Sequence, residues 1–169
     1  MNSTELRSFT SKYNSHQARL INKSEVLSND NSLQVDSLWD TGATITAISE
    51  KVVNDLMLSP IGQRLISTPS GKKQVNKYLL TIKLPNDVIF TDFEVCDSDI
   101  GEQGFDLLIG MDIIGEGDFA VSNYRGVTTF TFRMPSQKEA DYAKETRLRN
   151  LTGTHGKGKR TKKRKRNRK

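Results

Sequence analysis

The carboxylate of Asp40 lies between two segments that favour β structure. It begins the run Asp-Thr-Gly-Ala, which follows the apolar Leu38-Trp39 and precedes the β-favouring residues 44–48. Asp and Gly are unfavourable in strands, so the run is either an ordinary turn or a loop that presents a carboxylate. Gly42 permits a tight turn and close approach of the backbone. The Thr41 hydroxyl can hydrogen-bond neighbouring groups and hold the loop in shape.

A second carboxylate beside Asp40 would allow this loop to carry out acid–base chemistry. Two carboxylates about 3 Å apart cannot both ionise, so they share one proton and act as base and acid. Such a pair can activate a water for attack on an amide without a metal or a covalent intermediate. The sequence has no second Asp-Thr-Gly or Asp-Ser-Gly, and the nearest approach to one is Asp99-Ile100-Gly101.

Strand-like segments surround this loop. Residues 18–27 and 32–40 flank a turn-like Ser-Asn-Asp-Asn run, which predicts a hairpin that ends at Asp40. Ser49 is of the N-cap type, and the apolar spacing after it predicts a short helix. Residues 64–80 contain Pro69 and Gly71 between two strand-like runs, which predicts a long hairpin with an exposed tip.

The composition divides the chain into four segments. Residues 1–17 are polar and without periodicity, which predicts a mostly disordered extension. Residues 18–134 predict one mainly β domain of about 115 residues, large enough for its own core. Residues 135–152 predict a helix, with a capping box from Ser136 to Glu139. Residues 153–169 are Gly- and Lys/Arg-rich and predict a disordered basic tail.

Two motifs resemble those of a known family. The run "LWDTGAT" around Asp40 resembles the active-site signature of the retropepsins, the retroviral-type aspartic proteases. Downstream, "RLISTPSGKKQVNKYLL" resembles the single flap, and "FDLLIGMDII" resembles the second signature, in the form found in cellular and bacterial members. The resemblance implies a mainly β, half-barrel acid-protease domain with a flap hairpin and short helices, which is active as a homodimer.

The resemblance also implies roles for individual residues. Asp40 would be the catalytic carboxylate, one from each chain, and Thr41 would tie the two active-site loops across the dimer axis. Gly42 would let the loop backbone support the carboxylate pair. Ser70 and Gly71 would form the flap tip over a protein or peptide substrate. Gly110 would belong to the second signature loop.

Other readings of these residues remain open. The chain could be a non-catalytic dimeric interaction protein that has the retropepsin fold and binds nucleic acid through its tail. Asp112 could be a second acid, although its place at a predicted helix start favours a cap or dipole partner. Cys96 follows Val95 in a predicted strand and is expected to be buried rather than nucleophilic. His16 and His155 have no Cys or His neighbours, so no metal or other cofactor is predicted.

The charge is uneven along the chain. The last thirteen residues hold ten of the 26 Lys and Arg, and the other 156 residues carry 16 basic and 20 acidic side chains, a net charge of −4. The tail is expected to attract nucleic acid or anionic lipid or to act as a nuclear targeting signal, unless it is only a solvated extension. Its central cations are Lys159, Arg160, Lys162, Lys163, Arg164, Lys165 and Arg166.

The expected compartment is intracellular. The sequence has no apolar run of about 18 residues and no apolar stretch near its start that is typical of a secretory signal. Its single cysteine, Cys96, cannot form an internal disulfide. These features favour the cytoplasm, or the nucleus in a eukaryote.

Deleting residues 157–169 should abolish most binding to RNA or DNA at low salt and leave the fold and peptide hydrolysis intact. The segment contributes cations but no periodic apolar residues. Binding of a labelled RNA by the full and truncated chains, measured over a range of salt, checks this. Equal binding by the two would assign the interaction to the folded part.

Overall fold

The computed structural model describes residues 5–29, 31–68 and 71–153. Over these residues the chain forms ten strands: β1 (Arg7–Lys12), β2 (Leu20–Ser28), β3 (Asn31–Trp39), β4 (Ala47–Ile48), β5 (Gly62–Thr68), β6 (Gly71–Leu84), β7 (Val88–Asp97), β8 (Leu107–Ile109), β9 (Asp118–Ser122) and β10 (Thr129–Met134). The α-helices within the same residues are α1 (Glu50–Asp55), α2 (Met111–Ile114) and α3 (Tyr142–Gly153). Short 3₁₀ turns lie at Pro85–Asp87, Gly101–Gln103 and Tyr124–Gly126.

The larger of two sheets closes on itself. Its strand order is β2-β3-β8-β4-β7-β6-β5, and β2 also pairs with β6. The strands from β2 round to β6 therefore form a ring, and β5 stands outside it as the outer strand of a long hairpin. The predicted mainly β, retropepsin-like fold is confirmed.

The core fills this ring with residues that alternate along the strands. In β6 every second side chain from Tyr78 to Leu84 is buried, namely Tyr78, Leu80, Ile82 and Leu84. This period of two is what a strand with one face toward the core requires. Facing strands contribute the fully buried residues Val26, Val88, Leu107 and Ile109.

An aromatic cluster joins the ring to a smaller sheet of order β1-β10-β9. Trp39, the last residue of β3, stacks on Phe119 of β9 with ring centroids 5.3 Å apart and an interplanar angle of 4°. Phe130 and Phe132 of β10 contact the same indole at 5.6 and 5.1 Å. The residue before Asp40 is thus held by packing against the second sheet.

Part of the N-terminal segment is ordered, so the prediction of a mostly disordered stretch over residues 1–17 is wrong for β1. The backbone of β1 pairs antiparallel with β10, from Arg7 opposite Met134 to Lys12 opposite Thr129. Phe9 is 4% exposed and contacts Trp39 at 5.7 Å. Burial of one phenylalanine side chain is worth about 1.5–3 kcal/mol, and no periodic pattern within so short a strand reveals it.

The C-terminal helix starts later than predicted. Residues 138–153 form a unit of their own, in which α3 begins at Tyr142 and the Asp141 carboxylate accepts a hydrogen bond from the Lys144 amide at 2.9 Å. The predicted capping box at Ser136 is wrong. The Ser136 hydroxyl instead donates to Asp118 at 2.6 Å.

The carboxylate of Asp118, at the start of β9, accepts several hydrogen bonds. Its carboxylate accepts hydrogen bonds from Ser136 Oγ, from the Gln137 amide at 2.8 Å and from Arg133 Nε at 2.9 Å. These hydrogen bonds, with that from Ser136 the largest cause, hold the pKa of Asp118 well below its usual range. The ionised form is therefore favoured in the folded chain.

Asp118→Asn should lower the free energy of unfolding at neutral pH. Because the folded pKa is depressed, the stabilisation is complete above the unfolded value of about 3.9 and is lost as the pH falls below it. Urea denaturation of both proteins from pH 7 to pH 3 should show the gap closing in acid. Asp92→Asn, at an exposed position on β7, is the control. A gap that stays constant down to pH 3 would contradict this account.

Candidate active site

Asp40 lies at the point where the chain leaves β3. Its amide donates to the Ile109 carbonyl of β8 at 3.0 Å, and its own carbonyl accepts from the Ala43 amide at 3.2 Å, which closes a turn. The Gly42 amide donates to Asp40 Oδ1 at 2.8 Å. A main-chain donor within the loop therefore orients the carboxylate, which is partly exposed. Thr41 and Gly42 are exposed beside it.

Strand β8 holds the two ends of this loop. It pairs parallel with β3, with Trp39 opposite Ile109, and antiparallel with β4, with Ala47 opposite Leu108. The loop therefore leaves on one side of β8 and returns on the other. Only residues 47–48 of the β-favouring run become strand, since the preceding residues are taken up by the loop.

Gly110 allows the second loop to lie directly against the first. A Cβ atom at Gly110 would lie 2.6 Å from the Ile45 carbonyl carbon and 2.9 Å from the Thr46 amide nitrogen. Both neighbours are main-chain atoms and cannot rotate away. The Gly110 amide also donates to Thr46 Oγ1 at 3.1 Å. Close backbone contact, rather than an unusual φ, is the reason for glycine here.

Thr46 and Asp112 form a clamp that sequence reasoning missed. The Asp112 carboxylate accepts from the Thr46 amide at 2.8 Å and from Thr46 Oγ1 at 2.6 Å. It also accepts from the Ile113 amide at 3.0 Å, but it does not cap α2, because the N-cap is Gly110 and Asp112 lies in the first turn. Its main partners, however, are 66 positions away. The one indication of this interaction in the sequence was a polar residue, Thr46, between the apolar Ile45 and Ala47.

The predicted flap is the β5–β6 hairpin. It pairs from Gly62 opposite Lys77 to Thr68 opposite Gly71. Gly71 has φ of 121°, a conformation that side-chain-bearing residues rarely adopt, and so supports a tight tip. Ser70 lies outside the described residues. Lys73 on β6 forms an ion pair with Asp99 at 2.5 Å, which raises the pKa of the Lys73 ammonium.

A cavity of about 500 Å³ separates the flap from the active-site loop. One wall is the loop after Asp40, from Gly42 to Ile45, and the opposite wall is β5 from Arg64 to Ser67. The remaining lining comes from Ala47, Cys96, Asp97, Ser98 and Leu108. This volume is within the usual range for ligand pockets, so the cavity is large enough for one side chain of a bound peptide.

Cys96 and the cations of the tail were also singled out in the sequence. Cys96 is 2% exposed, as predicted, and burial raises the pKa of its thiol. The predicted tail residues from Lys159 to Arg166 lie outside the described residues. Within residues 5–29, 31–68 and 71–153, no group of three or more His, Cys, Asp and Glu side chains is placed to hold a metal. Among the same residues, no helix combines the length and the apolar character needed to cross a membrane.

Comparison with known proteins agrees with this geometry. The sequence profile of the aspartyl protease family matches residues 25–113, more than half of the chain. A retropepsin-like aspartic protease from Rickettsia conorii superposes with a TM-score of 0.52 at 16% identity, over 78% of this chain and 96% of that one. The match to Simian foamy virus (mac) protease has 28% identity and a TM-score of 0.41, over 57% of this chain and 92% of that one.

The fold is that of the retropepsin-like aspartic proteases. Along the chain, the loop that carries Asp40 comes first, the flap hairpin second and the Gly110 loop third. The chain belongs to the aspartyl protease family. The resemblance of its two signature motifs is confirmed.

Gly110→Ala should destabilise the domain by on the order of 1–3 kcal/mol, because the added methyl group meets main-chain atoms of Ile45 and Thr46. Activity should fall with it, since the displaced loop carries Asp40. Thermal unfolding and peptide cleavage check both. Gly62→Ala is the matched control, as its Cβ would meet only a flexible part of Lys77 at 3.5 Å. Equal stability of the two variants would mean that the close contact is unimportant.

Proposed function

We propose that the chain is an aspartic endopeptidase whose active site forms between two copies, with one Asp40 from each. The observation that carries the proposal is the Asp40 loop itself. Its carboxylate is oriented by the Gly42 amide and is partly exposed, and the residues that follow it, from Gly42 to Ile45, line a cavity together with β5 of the flap. An ordinary turn has no need for a carboxylate held in one orientation beside such a loop.

A single chain supplies only half of the required acid–base pair. The sequence contains one Asp-Thr-Gly, and the Asp99-Ile100-Gly101 run lies in a loop whose Asp99 is paired with Lys73. A two-fold axis beside Asp40 brings the same residue of a second copy to it, as an isologous interface does. Thr41, exposed next to Asp40, is placed to contact its own copy across that axis.

The edge strand β9 supports the proposal that a second copy binds to the domain. It pairs with β10 along one edge, and no further strand pairs with it among the described residues. Val121 lies opposite Phe130, on the sheet face that carries the aromatic cluster, yet it is 41% exposed. An unpaired edge with a half-exposed apolar side chain is a ready surface for another strand.

The reaction needs one proton on the Asp40 pair. The ionised carboxylate accepts a proton from water as the water oxygen attacks the peptide carbonyl carbon, and the protonated partner gives its proton to the carbonyl oxygen. The resulting tetrahedral diol collapses when the amide nitrogen is protonated and the C–N bond breaks. One water is consumed, an acid and an amine are released, and the pair regains its single proton.

Asp40→Asn should reduce peptide cleavage by on the order of a thousandfold or more, because both carboxylates of the dimer are lost. The variant should remain dimeric, because asparagine conserves the shape of the side chain. Cleavage of a denatured protein mixture by both proteins, with sedimentation of each, measures the two properties.

Asp36→Asn is the matched control. Asp36 lies on the same strand, but its carboxylate forms a surface ion pair with Lys23 at 2.8 Å, so the variant should keep its activity. Mixing wild type with excess Asp40→Asn should suppress activity, as mixed dimers have only one carboxylate. Undiminished activity in the mixture, or full activity in a strict monomer, would contradict the shared site. Dimerisation without any cleavage would favour the non-catalytic interaction protein.

A further inference from the structure

Arg64 is the charged group on the flap wall of the cavity. It lies on β5 opposite Val75 of β6, and its side chain is 49% exposed. The nearest carboxylate is Glu94 on β7, with 3.7 Å between Arg64 Nη1 and Glu94 Oε1. That distance is too long for a hydrogen bond, so the guanidinium retains donors that a bound chain can use.

Glu94 is already neutralised by another cation. Lys77 Nζ donates to Glu94 Oε2 at 2.7 Å. The trio Arg64, Lys77 and Glu94 therefore has a net charge of +1, with the surplus on Arg64 because Lys77 holds the shorter contact. An arginine with free donors at a cavity rim is suited to a carboxylate, which it can bind with two parallel hydrogen bonds.

Asp97, the carboxylate on the same cavity wall, is occupied. It accepts hydrogen bonds from the Asn76 amide and from Asn76 Nδ2, both at 2.9 Å. The Tyr78 hydroxyl donates to Asp97 Oδ2 at 3.3 Å, and burial together with the charge of Asp97 raises the pKa of Tyr78 and keeps that donor protonated. These donors are neutral, so Asp97 keeps its charge, but its oxygens are tied to β6 and leave few free acceptors for a substrate.

Apolar side chains form part of the remaining lining. They are Ile45, Ala47, Ile66 and Leu108, among polar residues that include Thr44, Ser67 and Ser98. A peptide bound there meets these apolar side chains and one positive charge whose nearest carboxylate is 3.7 Å away. An apolar side chain next to an acidic one matches both features.

We propose that Arg64 selects peptide substrates that carry a Glu or Asp close to the apolar residue filling this cavity. The inference rests on the proposed peptidase function and specifies its substrate class. A charge-assisted, bidentate contact is worth roughly 1.5–3 kcal/mol, which corresponds to about a tenfold or greater preference for Glu over the isosteric Gln.

The test uses short fluorogenic peptides with a central Leu-Leu bond, in which one Glu or Gln is moved position by position. Cleavage is followed near pH 5.5, where a peptide Glu is mostly ionised. Wild type should prefer Glu about tenfold in kcat/KM at one position or two neighbouring ones. Arg64→Gln should bring that ratio to about one, and Arg64→Lys should retain part of the preference.

Substitutions of the two charged residues near Arg64 should change the preference for Glu in opposite directions. Glu94→Gln should strengthen the preference, because it removes the carboxylate near Arg64. Lys77→Gln should weaken it, because Glu94 then turns to Arg64. Lys72→Gln, near the flap tip opposite Ser67, is the matched control for the general charge of the flap. If Lys72→Gln reduces the ratio as much as Arg64→Gln, the preference is a long-range effect of charge and the assignment to Arg64 is wrong.

The two proposals fail in different ways. Cleavage of Gln and Glu peptides at equal rates would overturn the role of Arg64 and leave the peptidase intact. Absence of cleavage of every peptide would count against the peptidase, and binding of the same labelled peptides to the inactive Asp40→Asn variant then tests Arg64. Tighter binding of Glu peptides, lost in the Asp40→Asn, Arg64→Gln double variant, supports the role. Equal binding of Glu and Gln peptides overturns it.

Discussion

The site depends on the direct contact between the Gly110 backbone and the backbone of Ile45 and Thr46. No side chain fits between the two loops, so their separation is set by main-chain atoms. The bonds from Thr46 to Asp112 and from Gly110 to Thr46 lock the contact from both sides. Because the loop that begins at Asp40 ends at this clamp, the position of the carboxylate is determined by a contact between segments about 65 residues apart in the chain.

The packing of Trp39, the residue before Asp40, is a second constraint on the position of the carboxylate. Trp39 is 5% exposed and lies among aromatic residues of β1, β9 and β10, so the end of β3 is fixed by packing as well as by its ladder with β8. The indole N–H, which a buried tryptophan must satisfy, donates to Asn22 Oδ1 at 2.5 Å. The small sheet is therefore part of the support of the site, although it contributes no residue to the cavity. The same sheet presents the edge of β9 that pairs with no other strand among the described residues, and a second copy is proposed to pair there.

Charge is arranged differently on the two sides of the cavity. Asp97 is held by donors from Asn76 and Tyr78, whereas Arg64 remains half exposed with its nearest carboxylate held by Lys77. In the proposed enzyme, substrate selection and catalysis would therefore involve different elements. The loop that follows β3 would hold the reacting carboxylate, while the flap and β7 would set the charge that a substrate meets. This separation allows the flap charge to change without disturbing the clamp.

The sequence by itself determined the features that depend on neighbouring residues. The alternation on both sides of Asp40, the Ser49 cap of α1 and the two signature motifs are local patterns, and they were sufficient to predict the hairpins and the fold class. Only the tertiary structure decided that Arg7–Lys12 is a strand, that Thr46 binds Asp112, and that Ser136 binds Asp118 instead of capping a helix. Each of these depends on a partner distant in the chain. A short polar segment becomes a strand when β10 offers it hydrogen bonds, and a partly buried carboxylate accepts from the donors that the folded chain brings within reach.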